Sequence, residues 1–384
     1  MPIYCDHNAS TPLRPEVLEA MLPFMRGEYG NASSVHALGS RARCAVEDAR
    51  AEVAALVGAQ PAEVIFTSGG TESNNLAIQG MARASTQRTI VSTPIEHASV
   101  REAITTLRRD GYATREVPID AAGRVVLSAL PSLLDERPAV VSIGWANNEI
   151  GTLQPIEDIG RLCQAYSVPL HVDAVQAAGK IPVHVRGVEL LSVSAHKIGG
   201  PKGVGALFVR RGTALRPLLV GGGQERGLRA GTENVAAIAG MAAACRLAVA
   251  ELHVFGEACA ALREHLWNGL AATIPGARRN SPGSAECLPN TLNVTFAGVR
   301  GEALVAALDL EGVAVSGGSA CAGGAGEPSH VLIGIGRSVE EARDGVRFSL
   351  GRTNRREEIE RVVCITAACV RRTRSTEGCG RNGG

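Results

Sequence analysis

Lysine is scarce in this chain. Only three of its 39 basic residues are lysines, namely Lys180, Lys197 and Lys202. Any chemistry that needs a lysine amine therefore has three candidate side chains. Lys197 directly follows an apolar run, LLSVSA, whereas Lys180 and Lys202 stand in the turn-like contexts AGKIP and GPKG. Because a lysine at the end of a buried strand is rare unless it is paired or reactive, Lys197 is the best candidate for a reactive amine.

The sequence also lacks the features that mark several classes of protein. Its ten cysteines are scattered without a CxxC pair, which argues against a disulfide framework and against a zinc site. The net charge of +1 gives no global field to attract nucleic acid or an anionic membrane. The longest apolar stretch, VAAIAGMAAAC, is too short to span a bilayer, and the first ten residues show no signal-peptide pattern. We therefore expect a cytoplasmic protein without nucleic-acid or membrane partners.

Short apolar runs alternate with helix-forming stretches over much of the chain. EVIFT, TIVST, AVVSIGWA, PLHVDA and LLSVSA are typical of strands, and the alternation predicts an α/β fold with a mostly parallel sheet covered on both faces. After Pro275 the pattern changes to that of a smaller α+β domain. We assign residues 13–260 to a large domain, 1–12 and 261–375 to a small domain, and 376–384 to a flexible tail.

The segment after the EVIFT strand is a candidate anion site. SGGTES brings Gly70 and Thr71 to the start of a predicted helix, where backbone N–H groups favour a negatively charged ligand. By itself this pattern also fits an ordinary strand–helix turn with a Ser or Thr cap. No lysine follows it, and the Walker pattern GxxxxGK[ST] occurs nowhere in the sequence.

Other predicted strands are followed by residues that could complete such a site, because ligands of a parallel sheet bind beyond the carboxyl ends of its strands. Asp173 ends an apolar strand, where a buried carboxylate needs a cationic or N–H partner. His97 and Lys197 follow two further strands. Each of these residues could have a purely structural role if it stood alone. Pyridoxal phosphate, however, fits an edge that combines an anion site, an acid, a lysine and a histidine. That cofactor needs a phosphate site, an amine for its imine and an acid for its pyridine nitrogen.

The chain resembles the cysteine desulfurases, within the class V aminotransferase family of fold-type I pyridoxal-phosphate enzymes. The resemblance runs from YCDHNAST to VRFSLGR and includes GNASSVH, TSGGTESNN, EHASV, WANNEIGT, HVDAVQAAGK, SAHKIGGPKGVG, RAGTEN and SGGSACAGGAGEPSHV. The stretch RRGTALRPLLVGGGQERGLRAGTEN is most similar to the nitrogen-fixation (NifS) type. A fold-type I enzyme with a large and a small domain is therefore expected.

The resemblance implies roles for individual residues. Lys197 would form the imine with the cofactor, Asp173 would pair with its pyridine nitrogen, and Gln176 would pair with its phenolic oxygen. His97 would stack on the ring as a catalytic residue. The other cofactor-binding residues that the resemblance implies are Gly70, Thr71, Asn148, Ser194, Ala195 and His196, together with Thr232, which would reach the phosphate of the neighbouring subunit in a homodimer.

The resemblance makes Cys321 the nucleophile and lets Asn148 and Arg352 hold the substrate carboxylate. L-Cysteine would yield L-alanine and a persulfide on Cys321, which would supply sulfur to an iron–sulfur scaffold protein, most specifically for nitrogenase maturation. A transient [2Fe–2S] contact at Cys321 in a scaffold complex is also implied. Several glycines surround Cys321, and they would let its loop swing between the substrate and the acceptor.

Two other classes of function remain open from the residues. One is a different reaction on the same fold, by a selenocysteine lyase, a sulfinate desulfinase or an aminotransferase. The other is a cofactor-free thiol protein, such as a metal-binding scaffold that uses Cys321 and His330. The nucleophilic thiol favours a desulfurase over a plain aminotransferase, and the scattered cysteines disfavour the metal scaffold.

Overall fold

A computed structural model describes residues 2–317 and 327–380 of the protein. The strands are β1 (Ile3–Tyr4), β2 (Val64–Thr67), β3 (Thr89–Ser92), β4 (Ala113–Glu116), β5 (Val140–Gly144), β6 (Leu170–Asp173), β7 (Leu190–Ser194), β8 (Gly205–Val209), β9 (Ala277–Arg279), β10 (Thr291–Phe296), β11 (Val313–Ala314), β12 (Ser316–Gly317) and β13 (Gly345–Ser349). The helices are α1 (Pro15–Arg26), α2 (Ala37–Val57), α3 (Gly70–Ala84), α4 (Ala98–Arg109), α5 (Leu130–Leu134), α6 (Ile156–Ala165), α7 (Val235–Thr273), α8 (Gly301–Leu310), α9 (His330–Gly334), α10 (Val339–Arg343) and α11 (Arg356–Gly380).

The large sheet has the strand order β2-β8-β7-β6-β5-β3-β4. Its strands pair in parallel, except that β8 is antiparallel to both β2 and β7. Strands β5, β6 and β7 are buried almost throughout, as expected for a sheet that is covered on both faces. The predicted α/β fold with a mostly parallel sheet is confirmed. Because β2 runs in the same direction as β7, the carboxyl ends of β2, β3, β5, β6 and β7 meet at one edge.

A second sheet, of order β12-β13-β10-β9, is antiparallel and has its own apolar core. The N-terminus joins this part of the molecule, because β1 pairs in parallel with β11. Helix α7 connects the two cores: Ala244 and Ala248 pack in the core of the large sheet, and Leu266 and Leu270 pack in that of the small one. Residue 260, where we drew the boundary, therefore lies inside one continuous helix.

Helix α7 is long and apolar enough to cross a membrane by length and composition alone. Half of its most apolar stretch is nevertheless buried inside the protein, against α1 and α2 among other elements. Core helices of soluble proteins can be equally long and apolar. The burial identifies α7 as a core helix of this fold.

The C-terminal segment differs from the sequence prediction. Helix α11 continues to Gly380, so that residues 376–380 are helical where we expected the tail to begin. The earlier turns of α11 are anchored by the buried side chains of Ile359, Val362 and Val370. Once a helix is anchored in this way, each further residue is added at little cost, which explains why the composition alone placed its end too early.

Candidate active site

The cavity that contains most of the predicted residues, which we call the main cavity, lies at the edge of the large sheet where the parallel strands end, and its volume is about 260 Å³. It brings together most of the side chains predicted from the sequence. The predicted residues that line it are Gly70, Thr71, His97, Asn148, Asp173, Gln176, Ser194, His196 and Lys197. Residues far apart in the chain meet here because the ends of β2, β3, β5, β6 and β7 converge.

Lys197 lies in a tight turn, Ala195–Lys197, directly after β7. Its Nζ donates hydrogen bonds to the backbone carbonyl oxygens of Asn8 and Ala9, the latter at 2.9 Å. The amine is thus held by neutral acceptors at the wall of the main cavity. A second cavity of about 380 Å³ shares Lys197 as part of its lining, so this lysine stands between the two spaces.

Asp173 is buried at the end of β6, and its carboxylate has the N–H partners that the sequence required. Oδ2 accepts a hydrogen bond from Asn74 Nδ2 at 2.7 Å, and Oδ1 accepts one from the backbone N–H of Val175 at 3.0 Å. Asn74 Oδ1 is buried without a hydrogen-bond partner among the described residues. The carboxylate is therefore oriented by donors on α3 and on its own loop.

The predicted anion site is the N-terminus of α3. Gly69 precedes the helix with φ +150°, a conformation that favours glycine, and no side chain caps the first turn. A Cβ on Gly70 would lie 2.7 Å from Val175 Cγ2, so only glycine allows this close packing. Ser194 and His196 line the same space, and burial lowers the pKa of His196 to about 4, which leaves its ring neutral at pH 7. Uncapped N–H groups beside a hydroxyl and an imidazole are suited to a phosphate.

His97 caps helix α4 and lines the main cavity. Its Nδ1 accepts a hydrogen bond from the backbone N–H of Ser99 at 3.1 Å, which fixes the ring beside the cavity. The preceding Glu96 is fully buried, and it accepts hydrogen bonds from the Thr93 hydroxyl and from the Gly144 N–H. Burial raises the pKa of Glu96 to about 7. The adjacent pair thus places an imidazole and a weakly acidic carboxyl at the same edge of the sheet.

Arg352 lies at the second cavity, and not in the lining of the main one. Its guanidinium forms an ion pair with Glu251 and stands over the Phe255 ring, 5.2 Å from the centroid. Glu251 also accepts two hydrogen bonds from Arg14, at 2.9 and 3.0 Å. Arg352 is therefore near Lys197 through their shared cavity, but a protein carboxylate already pairs with it.

The remaining predicted residues are placed as follows. Gln176 lines the main cavity, and Asn148 does so too while its backbone oxygen accepts hydrogen bonds from Asn8 and Arg347. Ala195 is fully buried behind the lining. Thr232 is exposed in the loop before α7 and does not line the main cavity as the described residues form it. Cys321 lies outside the described residues.

Several polar residues in or beside the site were not predicted as site residues, among them Asn8, Asn74 and Glu96, and Lys180 was considered only as a candidate amine. Asn8 and Lys180 are contributed by segments that looked like loop and turn, and only the folded chain brings them behind Lys197. Asn74 lies one helical turn after the anion site, and Glu96 directly precedes His97. Those two positions were the available signals, since each is adjacent to a predicted site residue.

No group of three or more His, Cys, Asp or Glu side chains is arranged to hold a metal ion among residues 2–317 and 327–380. His330, which the alternative metal-scaffold interpretation used, makes a 3.0 Å hydrogen-bond contact between its Nε2 and the backbone oxygen of Glu96. Burial lowers the pKa of His330 to about 4. Through this contact, His330 attaches the start of α9 to the edge of the large sheet.

Comparisons with known proteins agree with this geometry. Residues 3–362 match the family model "Aminotransferase class-V". The chain is 44% identical over 377 residues to the cysteine desulfurase IscS of Dictyoglomus turgidum, covering 97% of this chain and 95% of that one. It is 43% identical over 365 residues to the cysteine desulfurase NifS of Azotobacter vinelandii, with coverages of 94% and 90%. A solved structure titled "NIFS-LIKE PROTEIN" superposes with a TM-score of 0.90 at 40% identity, covering 96% of this chain and 99% of its own.

The chain belongs to the class-V aminotransferase family of pyridoxal-phosphate enzymes, and within it to the cysteine desulfurases. Its cofactor is pyridoxal 5′-phosphate. The residues present fit this group: the uncapped start of α3 offers N–H donors to a phosphate, and Asp173 offers a buried carboxylate to a pyridinium. Lys197 places an amine at the wall of the same cavity, where it could form the imine.

Proposed function

We propose that this protein removes the sulfur atom from L-cysteine, releases L-alanine and carries the sulfur as a persulfide on Cys321. The observation that carries the proposal is the convergence of Lys197, Asp173 and the start of α3 on one cavity. An amine, an acid and an anion site in this arrangement are the requirements of amino-acid chemistry with pyridoxal phosphate. The sequence resemblance to cysteine desulfurases, including the Cys321 segment, supports L-cysteine as the amino acid.

Each side chain then has a defined task. Bound pyridoxal phosphate supplies the electron sink that makes the Cα proton of an amino acid acidic. Asp173 keeps a proton on the pyridine nitrogen, the start of α3 with Ser194 and His196 holds the phosphate, and His97 covers the ring. Lys197 moves the Cα proton. Arg352, whose planar guanidinium suits a carboxylate, binds the carboxylate of the substrate with help from Asn148.

The sulfur transfer uses the thiolate of Cys321 as its nucleophile. A bond forms between the sulfur of Cys321 and the sulfur of the substrate, while the carbon–sulfur bond of the substrate breaks. The electron pair of the broken bond stays with the substrate carbon, which takes up a proton and becomes the methyl group of L-alanine. The Cys321 thiol is oxidised to the persulfide as that carbon is reduced, so atoms and electrons balance without a further reactant.

The experiment compares the holoenzyme with Cys321→Ala, using L-cysteine and a thiol reductant. Alanine and sulfide are quantified in parallel, because the reductant releases persulfide sulfur as sulfide. The proposal predicts equal amounts of both products from the wild type and little of either from the variant. Cys364→Ala is the matched control, since Cys364 is an exposed thiol on α11.

Two results would contradict the proposal. Undiminished sulfide from Cys321→Ala would show that another group carries the sulfur. A keto acid in place of alanine would point to an aminotransferase, and a strong preference for selenocysteine or for cysteine sulfinate would point to the other reactions of this fold.

We further propose a cytoplasmic homodimer that delivers sulfur to an iron–sulfur scaffold protein, with nitrogenase maturation as the destination. Relatives of both the IscS and the NifS name are similar to this chain to nearly the same degree. The support for nitrogen fixation is therefore the NifS-like stretch from Arg210 to Asn234. Sulfur transfer rates to a nitrogen-fixation scaffold and to a housekeeping scaffold, measured side by side with labelled L-cysteine, test this destination. Faster transfer to the housekeeping scaffold would contradict it.

A further inference from the structure

Lys180 is a buried lysine that the proposed mechanism does not use. Its side chain is only 4% exposed, and no carboxylate among the described residues forms an ion pair with it. It lies behind the main cavity and lines the second one together with Lys197. A lysine in such surroundings is costly, so its contacts show what it contributes.

The Nζ of Lys180 donates two hydrogen bonds, both to side-chain amide oxygens. One goes to Gln176 Oε1 at 2.6 Å, and the other goes to Asn8 Oδ1 at 2.9 Å. On its other side, Gln176 donates from Nε2 to the backbone oxygen of Asn8 at 2.9 Å. The amide of Gln176 is therefore held at both ends, by an amine next to its oxygen and by a carbonyl next to its nitrogen.

This arrangement fixes the direction of the Gln176 amide. If the amide were flipped, its oxygen would face the backbone oxygen of Asn8, and two acceptors would meet without a proton between them. In the observed orientation, one N–H of Gln176 is used by Asn8 and the other remains on the nitrogen of a residue that lines the main cavity. An N–H donor is what an anionic oxygen in that cavity requires.

We propose that Lys180 is a positioning residue, which holds the Gln176 amide so that its N–H group is presented to the phenolic oxygen of the cofactor. This inference rests on the proposed function, and it takes Gln176 as the partner of that oxygen, as the resemblance to cysteine desulfurases implies. Lys180 itself contacts neither substrate nor cofactor in this account. It acts through Gln176, and Asn8 completes the arrangement.

The surroundings support such a role. Burial lowers the pKa of Lys180 well below its usual value, and the nearby positive charges of Lys197 and Arg347 lower it further. The Nζ group of Lys180 carries only donors, which matches its two acceptors, Gln176 Oε1 and Asn8 Oδ1. The other titratable groups that interact with Lys180 are His7, Cys259 and His196.

The test uses the visible absorption band of the holoenzyme, followed as a function of pH. A hydrogen bond donated to the phenolic oxygen favours the deprotonated and more negative form of the bound cofactor. Lys180→Met removes the donor that holds Gln176, so the midpoint of the spectral change should rise by about one pH unit. Lys180→Arg keeps N–H donors, and the second cavity has room for its longer side chain, so its midpoint should stay near that of the wild type.

A double-mutant cycle separates action through Gln176 from a general effect of the charge. Gln176→Leu should raise the midpoint by itself, and Lys180→Met should add little in the Gln176→Leu background. Cys259→Ala, a truncation at a buried neighbour on α7, should leave the midpoint unchanged and serves as the control for local repacking. Thermal unfolding of each variant verifies that it is folded before the titration.

Equal shifts by Lys180→Met with and without Gln176 would overturn the proposal, and so would the absence of any shift. Failure of the proposed function has a different signature, because it would appear as missing alanine and sulfide from the wild-type enzyme. Failure of the Gln176 contact would appear as an unshifted midpoint in Gln176→Leu. The three results are therefore distinguishable.

Discussion

At the scale of single residues, Glu251 contacts two arginines that line the second cavity. It pairs with Arg352, the residue proposed to bind the substrate carboxylate, and it also accepts hydrogen bonds from Arg14. The side chains of Arg352 and Glu251 are both about one-third exposed, at 30% and 35%. A substrate carboxylate that binds Arg352 must therefore compete with a carboxylate of the protein.

Glu251→Gln should lower the KM for L-cysteine without a matching change in kcat. Removal of the competing charge frees the guanidinium, and partly exposed pairs of this kind contribute up to about 1 kcal/mol, so KM should fall by roughly twofold to fivefold. Steady-state kinetics at fixed ionic strength measure the effect. Glu16→Gln is the comparison and should change KM less, because Glu16 pairs with Arg14 and attracts Arg352 only at longer range. A KM that is unchanged or raised in Glu251→Gln would contradict this role.

Residue type and position were enough to predict the parts of the site that stand at strand ends. Asp173 and Lys197 could be found because the carboxyl ends of parallel strands meet. Lys180 could not be found, since its burial depends on Asn8, a residue 172 positions away in the chain. The pairing of Arg352 with Glu251 was equally inaccessible, because it joins two distant segments, the turn before α11 and the middle of α7.

At the scale of secondary-structure elements, the start of α9 is attached to the large sheet by buried contacts. Ser329 caps α9, and its hydroxyl donates a 2.6 Å hydrogen bond to Glu149 Oε2. Glu149 belongs to the loop after β5 that also carries Asn148. Burial raises the pKa of Glu149 to about 7. The link thus joins the segment that follows Cys321 in the chain to the loop that lines the main cavity.

The raised pKa of Glu149 makes a contribution to stability that depends on pH. Its usual value is 4.5, so the folded state favours the protonated carboxyl, and stability is lost as the pH rises from about 4.5 through about 7. The amide that Glu149→Gln introduces cannot ionise, so the variant does not lose this stability as the pH rises. Relative to the wild type, the variant should therefore gain about 2 kcal/mol in free energy of unfolding between pH 5 and pH 8.

Urea unfolding of both holoproteins at the two pH values measures this gain. The control is Glu340→Gln, a change at an exposed position of α10. Its free energy of unfolding should equal that of the wild type at both pH values. If the difference between Glu149→Gln and the wild type stayed constant with pH, Glu149 would not be a buried acid with a raised pKa.

The order of strand and helix was largely predictable from the sequence, but strand direction was not. The apolar runs that became β5, β6 and β7 were recognised because both faces of these strands are buried. Strand β8 is antiparallel to β7, to which a short connection joins it. The composition of the run GVGALFV predicts a strand but not its direction. The end of α11 was missed for a related reason, because its stability comes from tertiary packing.

At the scale of the whole molecule, Thr232 is a predicted cofactor-binding residue that does not line the main cavity of its own chain, as the described residues form that cavity. It is exposed, whereas the other predicted cofactor residues are lining residues or lie directly behind the lining. This placement is consistent with the proposal that Thr232 serves the neighbouring subunit of a homodimer. In a twofold dimer, each site would then need residues from both chains.

Mixing two defective variants tests this proposal. Lys197→Ala lacks the amine, and Thr232→Ala lacks the group for the neighbouring site. If Thr232 acts across the interface, each mixed dimer contains one intact site, so that after complete exchange about a quarter of all sites should recover normal cofactor affinity. Equilibrium binding of pyridoxal phosphate to the exchanged mixture measures the recovery. No recovery, after subunit exchange is verified by mass, would place Thr232 in the site of its own chain.

The central claim is that the large sheet presents Lys197, and neither of the other two lysines, to the cofactor. The most direct measurement is borohydride reduction of the holoenzyme, followed by proteolysis and mass spectrometry to locate the covalently fixed cofactor. The account predicts the added mass on Lys197 alone, because this lysine stands at the wall of the main cavity while Lys180 is committed to Gln176 and Asn8. Attachment at Lys180 or Lys202, or the absence of any fixed cofactor, would contradict it.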